Sequence, residues 1–396
     1  MKWKRAKISE VCQGIYDGPH ATPSVSEEGA VFLGISNITP DGHLDLSSPK
    51  YIGEKDLPKW TKRVTPQEGD IVFSYEATLN LYAIIPKGFR GCLGRRMALI
   101  RPDEEKVLGK FLYYYFFSDE WRGMIAENTV IGATVDRIPL IRFPNFPVSF
   151  PPVEKQRLIM SVLSAYDDLI ENNQKQIKLL EEAAQRLYKE WFVDLRFPGH
   201  ENTKITDGIP EGWSVQSIND IAEYINGYAF KPSDWGNLGK PIIKIKEMGS
   251  GIASDTPRNT GESIPERYNV TAGDILFSWS ATLSAKIWDE EDGLLNQHLF
   301  KVIPHGGISR EFVLQSILKT LDEFSNLTTG STMKHIQRGK LKEVHIIVPN
   351  EQMMHIYESI SEPSREQILK LKKRIVILQE ARDRLLPKLM SGKIEV

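Results

Sequence analysis

One short stretch has the residue types of a metal-dependent nuclease. Residues 102 to 106 read Pro-Asp-Glu-Glu-Lys, which resembles the P-D…(D/E)-x-K set. That set needs its Asp and its E-x-K on separate strands, so that the carboxylates converge on one metal ion. Here the charged residues are adjacent in a predicted loop, and no equivalent occurs later in the chain. We interpret the stretch as a solvated charge cluster.

Other catalytic and ligand-binding patterns are missing from the sequence. The chain has no GxxxxGK[ST] phosphate loop, no GxGxxG after a strand, no HExxH and no Asn/Asp-Pro-Pro-aromatic methyltransferase box. His298, His305, His335 and His345 lack the paired spacing of metal ligands. The sequence therefore predicts no catalytic residue and no metal site.

Composition and charge are those of an ordinary globular protein. The chain has 396 residues, of which 41% are hydrophobic and 26% charged, with a net charge of −2. This length suits two or three domains, and the charge gives no overall attraction to nucleic acid, so any DNA contact must use local patches. The longest apolar-aromatic run, Phe111 to Phe117, is too short to cross a bilayer. We expect a cytoplasmic protein with no membrane partner.

The chain is a tandem duplication. GDIVFSYEATL at Gly69 to Leu79 recurs as GDILFSWSATL at Gly273 to Leu283, with eight of eleven residues identical. Matches in the same order extend from Trp3 and Trp213 at the start to Leu187 and Leu385 at the end. Self-similarity of this kind indicates one structural unit used twice.

Each repeat begins with a globular part and ends with a long helix. β-branched and aromatic runs separated by turn residues predict a mixed sheet, with one helix over Lys110 to Ile125, matched by Arg310 to Phe324. The predicted segments are a domain over 1–150, a helix over 151–200, a domain over 201–350 and a helix over 351–396. The fold class is α+β, with two similar globular domains joined by two long helices and related by a pseudo-twofold duplication.

Both helices carry an apolar seam with the 3-4 spacing of a coiled coil. Upstream, Val162, Tyr166 and Leu169 extend the first seam in a shifted phase. Pro363 interrupts the second helix, and Ser364 and Gln367 form a plausible capping box for its start. Two such helices most simply pack against each other, although each could instead cap its own domain. The seam positions are Ile170, Asn173, Ile177, Leu180 and Leu187 in the first helix and Ile368, Leu371, Ile375, Leu378 and Leu385 in the second.

Where the predicted domains and helices meet, the chain resembles the specificity subunits of type I restriction-modification systems. The resemblance rests on PPVEKQRLIMSVLSAYDDLIENN (Pro151 to Asn173), LLEEAAQRLYKEWFVDLRFPGHE (Leu179 to Glu201), IPEGW (Ile209 to Trp213), IIVPNEQ (Ile346 to Gln352) and LLPKLMSGKIEV (Leu385 to Val396). It covers the whole chain in the family's order of domain, helix, domain, helix.

The resemblance implies a non-catalytic subunit with two target-recognition domains and an antiparallel helical spacer. Each domain would read one half of a two-part sequence in double-stranded DNA. Two adenine-N6 methyltransferase subunits carrying S-adenosylmethionine would dock on it, and a restriction subunit using ATP and magnesium can join them. No cofactor would be bound by this chain.

Polar loop residues are the candidates for DNA contact. Hydroxyl groups commonly donate to phosphate, arginine reads guanine, and asparagine and glutamine read adenine. Burial explains the strand residues Ile71, Val72 and Phe73 but not the polar residues that follow. Arg95 and Arg96 can alternatively bind phosphate or a neighbouring carboxylate. The candidates are Ser74, Tyr75, Thr78, Arg95, Arg96, Thr134 and Arg137 in the first repeat and Ser278, Trp279, Thr282, Asn296, Gln297, His298, Ser331, Thr332 and Lys334 in the second.

Two other interpretations stay open at this stage. The chain could be a free-standing methyltransferase or nuclease, which the missing motifs disfavour, or a two-headed coiled-coil scaffold that binds proteins without reading DNA. The aromatic residues Phe111, Tyr114, Tyr115 and Trp121 could stack on bases, but their counterparts in the second repeat are mostly aliphatic. Core packing is therefore favoured for them.

Overall fold

The computed structural model describes residues 3–132, 134–326 and 338–395. Two compact units divide the chain. The first compact unit comprises Met1–Glu171 and Val376–Val396, and the second comprises Asn172–Ile375. Each unit therefore contains one globular domain and parts of both long helices.

The described residues of the first domain form nine strands in three sheets and three α-helices. A central antiparallel sheet has the order β2-β8-β5-β6, a three-stranded sheet has the order β4-β3-β7, and β1 pairs with β9. The elements are β1 (Lys4–Lys7), β2 (Cys12–Asp17), β3 (Ala30–Leu33), β4 (Lys50–Ile52), α1 (Leu57–Trp60), β5 (Ile71–Ser74), β6 (Tyr82–Ile84), β7 (Gly91–Leu93), β8 (Met97–Pro102), α2 (Gly109–Tyr115), α3 (Asp119–Asn128) and β9 (Pro147–Phe150).

Both faces of the central sheet are covered, which explains its continuous apolar strands. Every residue of β5 is buried, with Ile71 paired to Ile100 of β8. Phe73 packs in one core cluster and Val72 in another. Alternate residues of a strand point to opposite faces, so β5 contributes to two cores at once.

The single helix predicted over residues 110–125 is two helices in the structure. The break falls at Ser118, whose hydroxyl accepts a hydrogen bond from the Trp121 backbone N–H at 3.3 Å and so caps α3. Trp121 is fully buried, and its indole N–H donates to the Tyr82 hydroxyl at 2.8 Å. Phe111, Tyr114 and Tyr115 are buried as well. The prediction that these aromatic residues form core rather than a stacking surface is confirmed.

The first long helix, α4 (Val153–Tyr188), begins after Pro151-Pro152 and crosses from the first compact unit into the second. Its buried seam includes the predicted Ile170, Asn173 and Ile177. The predicted phase shift upstream is wrong. Leu163 and Ile159 are buried and continue the seam at 3-4 spacing, whereas Leu169 is exposed.

The second domain repeats the topology of the first. Its central sheet has the order β13-β20-β17-β18, and a second sheet has the order β15-β14-β19-β16. The elements are β10 (Ile205–Thr206), β11 (Ile209–Pro210), β12 (Ser214–Ser217), β13 (Ala222–Asn226), β14 (Lys240–Ile243), α5 (Ile245–Ser250), β15 (Arg258–Asn259), β16 (Asn269–Val270), β17 (Ile275–Ser278), β18 (Ser284–Ile287), β19 (Gly293–Leu295), β20 (Leu299–Pro304), α6 (Arg310–Lys319), α7 (Leu321–Asn326) and β21 (His345–Val348). The single helix predicted over Arg310 to Phe324 is likewise α6 and α7.

The second long helix, α8, runs from Glu351 to Met390 without interruption. The predicted break at Pro363 and the capping box at Ser364 are therefore wrong. Proline inside a helix removes one hydrogen bond and costs about 3 kcal/mol. Pro363 has no N–H to donate to the Ser359 carbonyl. Both residues are exposed, so water can hydrogen-bond to that carbonyl instead. Residues on the opposite side of this turn are buried and keep the helix continuous.

Within each compact unit the two long helices run antiparallel. In the first, Lys155 pairs with Glu395 at 3.3 Å and Asp167 pairs with Arg382 at 2.9 Å. In the second, the rings of Trp191 and Tyr357 lie 6.0 Å apart, and residues 184 and 368 line one cavity. The helices therefore pack on each other as well as on the domains. The other predicted seam residues, Leu180, Leu187, Ile368, Leu371, Ile375, Leu378 and Leu385, are half-buried or buried.

Candidate nucleic-acid interface

Three loops that are distant in sequence meet at one end of the central sheet of the first domain. They follow β5 (residues 75–81), precede β8 (94–96), and return after α3 (130–132 and 134–138). The backbone N–H of Tyr75 donates to the Arg96 carbonyl at 3.2 Å, and that of Ile138 donates to the Tyr75 carbonyl at 2.8 Å. The structure thus brings together all three polar segments predicted for this domain.

The loop after β5 turns through an alanine with a left-handed backbone. Ala77 has φ 67°, and the equivalent Ala281 of the second domain has φ 57°. This conformation costs an alanine about 1–2 kcal/mol. In the first domain the turn is held by the Ala77 N–H, which donates to the Asp136 carbonyl at 2.9 Å. Strained backbone of this kind is concentrated at functional sites.

Two of the predicted contact residues in the first domain are buried, which corrects their role. The Ser74 hydroxyl donates to the Thr78 carbonyl. The Tyr75 hydroxyl donates to the Arg95 carbonyl at 3.0 Å, and burial raises the pKa of Tyr75 to about 12. These side chains hold the loops in place from inside the domain. Ser74 ends the buried strand β5 and Tyr75 directly follows it, so the sequence alone could not show whether these polar side chains are covered or exposed.

The remaining predicted residues of the first domain are accessible. Thr78, Arg95, Thr134 and Arg137 are exposed. Arg96 is half-buried, with its Nε 3.8 Å from the carboxylate of Glu76. The alternatives for Arg95 and Arg96 were phosphate or a neighbouring carboxylate, and Arg96 therefore pairs with a neighbouring carboxylate.

A further arginine at this end was missed by the sequence analysis. Arg63 forms an ion pair of 2.5 Å with Asp17, the last residue of β2, which lies opposite Ala98 of β8. His20 also contacts Asp17, at 3.1 Å. No repeated motif contains Arg63, so nothing in the sequence indicated it.

The second domain places an aromatic and amide-rich set at the equivalent end of its sheet. The Trp279 indole N–H donates to Asn226 at 3.2 Å, and its ring centroid lies 6.0 Å from that of His298. The Ser280 hydroxyl lies 3.5 Å from Nδ1 of His298. The Gln297 N–H donates to the Tyr228 carbonyl at 2.9 Å. Trp279, Gln297 and His298 are half-buried and Thr282 is exposed.

Ser278 and Asn296 are buried, and their predicted contact role is corrected in the same way. The Ser278 hydroxyl donates to the Ser280 carbonyl at 3.1 Å, and Asn296 Oδ1 accepts from the His298 backbone at 3.4 Å. Ser331, Thr332 and Lys334 lie outside the described residues. The two domains therefore present different chemistry at the same place: arginines in the first, and amides, indole and imidazole in the second.

In the described parts of the chain, no three His, Cys, Asp or Glu side chains are grouped so that they could hold a metal ion. None of the described helices is both long and apolar enough to span a membrane.

The structure therefore defines a protein with two similar sheet-and-helix domains and two long helices. Residues 2–182 and 210–374 match the family model described as the type I restriction modification DNA specificity domain. The chain belongs to this family and is a specificity subunit with two target-recognition domains.

Curated relatives agree with this assignment, and a solved structure has a similar fold. The MjaIX specificity subunit of Methanocaldococcus jannaschii is 25% identical over 91% of this chain and 86% of its own length. The HindI specificity subunit of Haemophilus influenzae is 22% identical over 99% of both chains. The crystal structure of the S subunit from M. genitalium has a TM-score of 0.55 at 16% identity, covering 98% of this chain and 96% of its own, and shows a similar fold.

Proposed function

We propose that each domain reads one half of a bipartite target in double-stranded DNA. The observation that carries this proposal is the pair of equivalent loop clusters with different exposed side chains. Arg95 suits guanine O6 and N7, whereas Gln297 suits adenine N6 and N7. Two different half-sites require such a difference on a shared scaffold.

The chemistry of modification belongs to partner subunits in this proposal. Two methyltransferase subunits bring S-adenosylmethionine and methylate adenine, and a restriction subunit, where the system has one, uses ATP and magnesium. This chain determines which DNA sequence the complex binds. Its net charge of −2 supports that division, because a weakly charged subunit needs partners to hold phosphate.

The test uses the full chain assembled with its methyltransferase subunits. N6-methyladenine mapping of host DNA defines the two half-sites and their gap. Arg95→Ala should weaken methylation about tenfold or more at targets with the intact first half and relax base preference there, since a good bidentate contact is worth about 1–3 kcal/mol. Gln297→Ala should do the same for the second half only.

Arg90→Ala is the matched control. Arg90 precedes β7, at the opposite strand end from the loop that contains Arg95, and pairs with Glu54 at the surface. Its removal should leave both half-sites unchanged. If Arg95→Ala and Gln297→Ala kept base preference at every position, the chain would be a scaffold without sequence readout.

A further inference from the structure

One arginine of the first domain is held at the interface end of the sheet through a single nitrogen. Nη1 of Arg63 lies 2.5 Å from Oδ1 of Asp17 and donates to the Gly18 carbonyl at 3.5 Å. A guanidinium has five N–H groups, and three of them are on Nε and Nη2. Among the described residues, these two nitrogens have no hydrogen-bonding or ion-pair partner. The Arg63 side chain is 49% exposed, so these donors are accessible to a ligand.

The backbone of Arg63 is anchored on both sides. Trp60 belongs to a buried cluster with Ile52, and Val64 packs against the cluster that contains Val72. The Arg63 side chain therefore extends towards Asp17 from a fixed starting point.

Asp17 is the last residue of β2 and lies at the edge where the interface loops meet. It is opposite Ala98 of β8, and the Gly18 N–H donates to the carbonyl of Met97, which directly follows the loop of residues 94–96, at 2.8 Å. Oδ1 of Asp17 contacts Arg63, and Oδ2 lies 3.1 Å from Nε2 of His20. Both carboxylate oxygens therefore hold a side chain at this edge.

A carboxylate at this edge requires an explanation, because it repels the phosphates that the interface has to meet. An exposed ion pair contributes little to stability, so stability does not explain it. Arginine reads guanine O6 and N7 through two N–H groups whose direction must be fixed. A carboxylate that orients the guanidinium meets this requirement.

The second domain uses the equivalent position in a similar way. Asn226 is the last residue of β13, as Asp17 is of β2. Each is followed by a glycine whose N–H donates to the carbonyl of the first residue of β20 or β8. Oδ1 of Asn226 accepts a hydrogen bond from the Trp279 indole N–H at 3.2 Å. In both domains, the residue that ends this strand therefore holds a side chain of the interface.

We propose that Asp17 is a positioning residue that presents Arg63 to a guanine of the first half-site. This inference rests on the proposed reading of DNA by the first domain. It adds Arg63 to Arg95 as a residue that determines the sequence of that half.

The test uses the full chain assembled with its methyltransferase subunits, and duplexes in which single base pairs of the mapped first half-site are replaced. Arg63→Ala should lower the preference for one G·C pair about tenfold or more. Arg63→Lys keeps the charge but not the planar arrangement of donors, so binding should persist while that preference is lost. Asp17→Ala should reduce the preference at the same base pair, and should have no further effect on it in the Arg63→Ala background.

Glu54→Ala is the matched control. Glu54 pairs with Arg90 at the opposite strand end, so this change also removes the carboxylate of an exposed ion pair with arginine. It should leave every base preference unchanged. The second half-site is the internal reference for folding, and its preferences should stay the same in all these variants.

An unchanged preference in Arg63→Ala would overturn the inference, and so would a preference retained in Arg63→Lys, which would assign Arg63 to phosphate. Tighter binding of all duplexes by Asp17→Ala, with the preference intact, would show that Asp17 only repels DNA and would also overturn it. Equal losses at both half-sites would indicate a general defect and count against it in the same way. If Arg95→Ala still relaxed base preference, the proposed function would stand without this pair. If neither Arg63→Ala nor Arg95→Ala had an effect, reading by the first domain would itself fail.

Discussion

Replacing Asp167 by alanine should loosen the first compact unit and leave the second unchanged. Asp167 on α4 accepts a hydrogen bond from the Tyr114 hydroxyl at 2.5 Å and from the Arg382 guanidinium at 2.9 Å. The Asp167 and Arg382 side chains are only 16% and 10% exposed. One carboxylate therefore joins α2 of the domain to both long helices.

The magnitude follows from what alanine would leave behind. Among the described residues, Arg382 would keep the carboxylate of Asp383, at 2.9 Å, whose side chain is 64% exposed. Breaking a buried pair costs about 3–5 kcal/mol when the remaining charge is uncompensated. Because Asp383 compensates in part, we expect about 2–4 kcal/mol. Asp167→Asn keeps an acceptor and should cost about half as much.

Hydrogen exchange measured by peptide mass spectrometry gives the required resolution, because a chain with two compact units has no single unfolding transition. The α2 peptide should exchange roughly 30- to 700-fold faster in Asp167→Ala where exchange requires unfolding of this unit. The α6 peptide of the second unit serves as the internal reference, and Asp168→Ala, at an exposed neighbouring position, serves as the control variant.

A double-mutant cycle with Arg382→Met then isolates the pair. The coupling free energy should be about 1–3 kcal/mol, since each single change leaves one buried charge of the pair without the other and the double change leaves neither. The Tyr114 hydroxyl loses its acceptor with or without Arg382, so that cost cancels in the cycle. Coupling below about 0.5 kcal/mol, or equal acceleration of the α2 and α6 peptides, would refute the assignment of this contact as a specific link within the first unit.

Burial raises the pKa of Glu311 above its ordinary value, although Gln315 and Arg365 act to lower it. The folded state therefore binds the carboxyl proton of Glu311 more tightly than the unfolded state, and stability falls as pH rises through the raised pKa. Glu311→Gln should accordingly raise the unfolding temperature of the second unit at neutral pH, with the gain disappearing in acid, whereas a pH-independent effect would contradict this sign. Ala77→Gly should stabilise the first domain by about 0.5–1 kcal/mol in urea unfolding because it relieves the left-handed backbone; destabilisation would show that the methyl group makes a needed contact. Exchanging residues 1–145 with those of a relative should change one half of the methylated motif alone, and a change in both halves would rule out one domain per half-site. Four residues inserted beside Asn173 would lengthen α4 by about 6 Å, close to two base pairs. In a series of duplexes that differ only in gap length, the gap that is methylated best should shift by one or two base pairs, or methylation should be lost. An unchanged best gap with full activity would exclude the helix as the spacer.

The duplication made the architecture predictable, because two copies of one pattern constrain each other. The repeated GDI…FS…ATL phrase lies on β5 and β17, the central strands of sheets with matching order. Local detail was less accessible. Tyr75 resembles a surface hydrogen-bond donor in sequence, and only the return of residues 134–138 beside it shows that it is covered.

The helices illustrate the same limit. Pro363 is a sound reason to end a helix when only neighbouring residues are considered. The structure keeps the helix because residues on both sides of the proline are buried by distant parts of the chain. Arg63 joins the interface through Asp17, a pairing that depends on strand order and has no counterpart in local sequence.

The first compact unit is built from two segments that lie far apart in the sequence, and this determines the order in which the chain folds on the ribosome. Its core includes Leu386, Leu389 and Met390, which pack with Ile159 and Leu163. About 200 residues must be synthesised after α4 leaves this unit before those side chains exist, which takes roughly 10–40 s at ~5–20 residues per second. The second unit is continuous in sequence and can close earlier. The first compact unit is therefore begun first and completed last. Until the end of α8 is synthesised, the apolar face of α4 in this unit is exposed and can bind chaperones or pack against a non-native helix.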